Sequence, residues 1–153
     1  MGLDVVGYSR HGAERRRVLR EFGVGGEFAD RALDICGGVL YSYTERSAFR
    51  AGSYSGYNVW RNSLARVAGY SPLTDGRYDE GAWAATGGPF WEMINFTDCD
   101  GVLGTAVCKK LCADFVAWHD IAREQLSDGD VLTYEQFKTT FELAADGGCV
   151  VFC

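Results

Sequence analysis

The apolar positions along the chain come in short runs separated by glycine and acidic turns. Their spacing switches between two residues and the helical period of about 3.6. Gly2–Tyr8, GLDVVGY, reads as a first strand and Cys149–Cys153, CVVFC, as a closing one. Gly38–Tyr43, GVLYSY, has the composition of a further strand. Arg10–Phe22 reads as a basic helix, and Phe28–Cys36 as a short helix after the break at Gly23–Gly26. Tyr57, Trp60, Leu64, Val67 and Ala68 recur at helical spacing and predict an apolar stripe. Gly87-Gly88-Pro89 opens a short helix over Phe90–Phe96, because proline suits a first helical turn. Thr105 is expected to cap the longest helix, Ala106–Leu126, which turns Val107, Leu111, Phe115, Trp118 and Ala122 inward. Ser127–Asp130 ends that helix. Thr133–Ala145 then buries Tyr134, Phe137, Phe141 and Ala144 before the Asp146-Gly147-Gly148 turn. The expected fold is α+β: a single compact domain over residues 1–153, with about four or five helices around a small sheet of about three short strands. The two chain ends are expected to share that sheet. Tyr57, Trp60, Leu64, Val67, Val107, Leu111, Phe115, Phe137 and Phe141 are expected to share one core.

Composition narrows the class. With 47% hydrophobic and 24% charged residues, the chain has the balance of a soluble globular domain. No run approaches a membrane-spanning length, and MGLDVVGYSRH is too polar for a secretory signal. The expected setting is a cytoplasm, where the six cysteines would be reduced and mostly buried. Charge is uneven: residues 1–70 hold ten arginines against seven acids, and residues 71–153 hold five basic residues against fourteen acids. The overall charge of −6 argues against broad nucleic-acid binding. An arginine-only positive half suits a small anion or an acidic protein patch.

The stretch from Ala48 to Tyr70, AFRAGSYSGYNVWRNSLARVAGY, concentrates arginine, aromatic, glycine and serine residues. Arg50–Gly56 reads as turn chemistry that leads into a helix N-terminus, a favourable setting for an anion. Arg61 falls beside the apolar stripe. A buried guanidinium there needs a carboxylate, several carbonyls or an anionic ligand. The candidate ligand-binding residues are Arg46, Arg50, Ser53, Tyr54, Ser55, Tyr57, Trp60 and Arg61, together with Asp98 and Asp100. The alternative is a tight turn before a core helix, with Arg61 bridged to an internal acid such as Asp98 or Asp100.

Other chemistry is weaker. NFTDCDGVLG, residues 95–104, looks like the nucleophile motif of haloacid-dehalogenase-type phosphatases, with Asp98 attacking phosphorus and Asp100 shuttling a proton. Its context fails, because that motif closes the first strand of a much larger parallel sheet. The alternative is an Asx-rich turn. Cys108, Cys112 and His119 lie along one helix edge without an evident fourth metal ligand. No catalytic residue, metal or cofactor is assigned, and the balance leans away from an enzyme.

Three stretches together resemble a family of small proteins encoded by tailed phages and prophages: YSYTERSAFRAGSYSGYNVWRNSLARVAGY, GPFWEMINFTDCDGVLGTAVCKKLCADF and FELAADGGCVVFC. The resemblance brings no established activity and no functional residue, but its phage context implies a host-cell cytoplasmic setting and, by analogy with other small phage proteins, an anti-defence role. In one such role, a binding protein sequesters a nucleotide-derived immune signal without cleaving it. Arginines for phosphates and aromatics for a base would suit that pocket. The competing class is an acidic protein–protein inhibitor of a host defence factor, and a hydrolase using Asp98 and Asp100 ranks last. The expected partner is therefore an anionic, nucleotide-like small molecule or a host defence protein. No membrane partner is expected, and a homo-oligomer stays open.

Overall fold

The computed structural model describes residues 1–10, 20–24, 26–70 and 86–153. Most of the expected basic helix over residues 10–22 and the loop after Tyr70 lie outside the described residues. Strand β1 (Gly2–Tyr8) is followed by β2 (Arg20–Glu21), a 3-10 helix (Gly26–Ala32), β3 (Leu40–Tyr41) and β4 (Arg46–Ser53). Next come α1 (Tyr54–Val67), α2 (Trp91–Ile94), β5 (Gly101–Leu103), α3 (Thr105–Ala117), α4 (His119–Gln125), α5 (Asp128–Ala144) and β6 (Cys149–Phe152). The fold is α+β.

Four strands form an antiparallel sheet in the order β4-β1-β6-β5, and β2 and β3 pair separately. The two ends of the chain do meet, with Val5 opposite Phe152 and Tyr8 opposite Cys149. Strand alternation sorts the sheet into two faces. Leu3, Val5, Leu103, Val150 and Phe152 join the main core with side chains of α1, α3 and α5. Val6, Tyr8, Val102, Cys149 and Val151 face the other way, onto Phe22, Ala32 and Ile35. The turn into β6 admits only glycine at 148, where a Cβ would sit 1.7 Å from the Tyr8 carbonyl oxygen.

The expected inward residues share the main core, with Val107 packed partly buried at its margin. Several boundaries differ from expectation. The Gly38–Tyr43 strand shrinks to two residues outside the main sheet, and the helix over Phe28–Cys36 is a 3-10 turn that starts and stops earlier. The long helix breaks at Trp118, whose backbone (φ −100°, ψ 6°) leaves the helical region. The last helix begins at Asp128, capped by the Ser127 hydroxyl, rather than at Thr133. Two strands, β4 and β5, lie where turns are expected. Only Cys108 and Cys149 are buried among the six free cysteines, fewer than expected.

Candidate functional site

The expected glycine–serine loop is not a loop. Arg46–Ser53 is a strand that runs straight into α1. Gly52 makes the bend at φ +107°, a conformation that side-chain-bearing residues avoid. Ser53 is the N-cap of α1 and accepts a hydrogen bond from the Gly56 backbone N–H at 3.0 Å. The Ser55 hydroxyl lies 3.2 Å from that of Ser53. One of the free N–H groups at the N-terminus of α1 is thus satisfied by its own serine. Tyr54 packs half-buried against the core.

Beyond the cap, the aromatic and basic residues turn inward. Tyr57 and Arg61 have no exposed surface, and Trp60 has almost none. Trp60 stacks on Phe137, with ring centroids 4.8 Å apart, and its indole N–H donates to the Asp130 carbonyl at 3.0 Å. The Arg61 guanidinium donates to the Phe96 carbonyl and to the Asn58 side-chain oxygen. It also lies 5.2 Å from the centre of the Tyr57 ring. The Asn58 amide in turn donates to Asp98 at 2.8 Å. Tyr57, Arg61, Asn58 and Asp98 therefore form one chain of contacts from the core to the half-buried rim.

The electrostatics follow from that burial. Desolvation pulls the Arg61 pKa down, while Tyr57 and Asp98 act to raise it. Burial pushes the Tyr57 hydroxyl up to about 12; Arg61 acts to lower it and Asp98 to raise it. The guanidinium meets its requirement for partners with a carbonyl and a side-chain amide, and Asp98 is reached through Asn58. Arg61 therefore has partners within the protein, and the Asn58 side chain links it to Asp98.

The remaining expected residues scatter. Arg50 donates to both carboxylate oxygens of Asp4 at 3.0 Å, on an exposed part of the sheet. Register places Arg46 and Arg50 on the strand face opposite Phe49, and Phe49 packs on Phe137 in the core. Arg50 and Arg61 consequently lie on opposite sides of the sheet, and the shared site expected of them does not form. Asp100 is exposed and borders a cleft of about 350 Å³ with Val24, Phe28 and Val102. That cleft includes none of the expected arginines or aromatics.

A different feature emerges at the far end of the helices. Asp120 and Glu124, four residues apart on α4, are exposed, and Asp128 at the start of α5 is exposed beside them in sequence. Arg123 is the lone lysine or arginine between 117 and 136. His119 bridges the two helices by a 2.6 Å contact with Glu135. Ile121 and Leu132 are exposed in the same region, Leu132 at 63%. The uneven charge along the sequence points toward this acidic end.

Among the described residues, no group of three metal-capable side chains could hold an ion. Cys108 is buried, and its thiol is pushed well up in pKa by burial. His119 belongs to the next helix, engaged with Glu135. No helix among the described residues is long and apolar enough to cross a membrane. Comparison of the chain with protein families, curated proteins and solved structures finds no match.

Proposed function

We propose that the chain is a binding protein whose acidic helical end docks onto a basic surface of a partner protein. The observation that carries this reading is that Asp120, Glu124 and Asp128 are exposed on α4 and the start of α5, and that Ile121 and Leu132 are exposed on the same two helices. Apolar contacts inside a charged rim are the usual composition of a protein–protein interface. The nucleotide-sequestration reading loses its support where Tyr57, Trp60 and Arg61 fill the core. The phage-like resemblance makes a host defence factor the partner class to test first.

The test compares the wild-type chain with an Asp120→Asn/Glu124→Gln/Asp128→Asn variant as bait in bacterial lysate, followed by cross-linking of the recovered partner. The expected result is a salt-sensitive partner that the neutralised variant loses and an Arg46→Ala/Arg50→Ala variant keeps. Cross-links should join α4 and α5 to a lysine-rich surface. A partner held equally well by the neutralised variant would sink the proposal. So would a nucleotide released from the purified wild-type protein on denaturation.

A further inference from the structure

The main sheet ends on one side at β5, whose three residues lie against the 3-10 helix. The Gly104 backbone N–H, just past β5, donates to the Arg31 carbonyl. On the other side the sheet ends at β4, which has eight residues and pairs only with β1 among the described residues. The hydrogen-bonding direction of β4 can be read from its neighbour. Asp4 exchanges both backbone bonds with Cys153, at 2.8 and 2.9 Å, so it faces β6. Strict alternation then turns Val5 and Gly7 toward β4, where they meet Phe49 and Ser47. The N–H and C=O groups of Arg46, Ala48 and Arg50 therefore point outward, along an edge that could pair with another strand.

We propose that this edge takes an extended acidic segment of a partner protein as a fifth strand. The side chains decide the occupant. Arg46, Ala48 and Arg50 are all exposed and lie on one strand face. A paired strand would set alternate side chains against them, and carboxylates there would meet the Arg46 guanidinium and share that of Arg50 with Asp4. The other strand face opens into a groove of about 300 Å³ between β4 and α5, lined by Ser47, Phe49, Glu135, Gln136 and Thr139. Glu135 disfavours acids on that side, so the intervening positions of the segment should be uncharged. A second copy of this chain fits poorly. Antiparallel self-pairing centred on Ala48 sets Arg46 against Arg50 of the other copy, and like charges directly opposite repel. The irregular register between Leu3 and Asp4, with Gly52 beyond it, limits the usable edge to residues 46–50. The edge is separate from the acidic helical end, and each surface can fail its test while the other stands.

The experiment titrates a fluorescent peptide of alternating glutamate and valine into the full-length protein and follows anisotropy. Controls are a lysine–valine peptide and a glutamate–valine peptide N-methylated at the amides facing β4. Binding of the acidic peptide alone is expected, with amide-exchange protection at Arg46, Ala48 and Arg50. Ala48→Pro should abolish it, because proline there removes an outward N–H and leaves the ladder to β1 intact. Arg46→Glu/Arg50→Glu should weaken it by about tenfold or more. Undiminished binding of the N-methylated peptide, or of the wild-type peptide to a folded Ala48→Pro protein, would show docking by charge alone and overturn the proposal. Absence of binding would overturn it too, as would a dimer in sedimentation that Ala48→Pro splits.

Discussion

At the residue scale, the molecule turns on a fully buried arginine. Arg61 sits among Tyr57, Asn58 and the Phe96 carbonyl, and truncating it would strand acceptors placed to receive its protons. Arg61→Ala is expected to cost about 3–5 kcal/mol, the range for breaking a buried charge network, measured by urea unfolding. Tyr57→Phe should behave differently. Among the described residues the buried Tyr57 hydroxyl has no hydrogen-bond partner, so its removal should change stability by less than about 1 kcal/mol. The same hydroxyl makes the fold sensitive to alkali. Tyr57 titrates at about 12 in the fold against 10.0 in the unfolded chain, and Tyr70 is likewise raised to about 12, chiefly by burial, with Asp114 and Glu92 adding to it. Above pH 10 the unfolded chain gives up these protons first. Stability contributed by the neutral tyrosines is therefore full below pH 10 and is lost as pH rises toward 12. Fully buried Tyr57 adds a slope of up to about 1.4 kcal/mol per pH unit. Unfolding free energies across that window should fall steeply in the wild type and less steeply in Tyr57→Phe.

At the element scale, helix ends are tied by residues distant in sequence. Helix α3 starts at Thr105, and the Thr105 N–H is satisfied by Asp34 at 2.9 Å rather than by the preceding Gly104. The Thr105 hydroxyl, expected to act as the cap, donates instead to the Gly148 carbonyl at 2.6 Å and ties α3 to the turn before β6. Asp34→Ala should therefore act as a cap deletion and lower stability by about 0.5–2 kcal/mol, visible as a lower melting temperature. The break at Trp118 has a comparable tertiary logic. After it, α4 places His119 against Glu135 and contacts α1.

At the scale of the whole molecule, β6 is one of the two inner strands of the sheet and joins β1 to β5. All four of its residues are buried, and they contribute to both cores. Deleting residues 149–153 should abolish cooperative thermal unfolding by circular dichroism rather than merely lower its midpoint. Charge is also arranged globally. Several arginines are engaged within the protein, Arg10 with Asp146, Arg31 with Asp30 and Arg50 with Asp4, while acids of α4 and α5 stay exposed. The exposed acids of α4 and the start of α5 thus give that part of the chain a negative surface.

Periodicity and turn chemistry in the sequence determined β1, β6, the apolar stripes of α1, α3 and α5, and the membership of the main core. Those features are local: an amphipathic stripe long enough to cover a core is set by the order of its own residues. Tertiary structure decided the rest. Arg46–Ser53 has glycine, serine and alanine where a strand usually shows bulky residues, and it is a strand because β1 offers it a ladder. Gly101–Leu103 is too short to show a period and is a strand because β6 lies beside it. The sequence named Arg61 as a group that needs partners, but it left open whether those were protein or ligand. Only the fold decided that, by bringing the Phe96 carbonyl and, through Asn58, the Asp98 carboxylate to a helix some 35 to 40 residues away in the chain. Long-range pairing of this kind depends on chain closure and packing, for which no local pattern exists to be read.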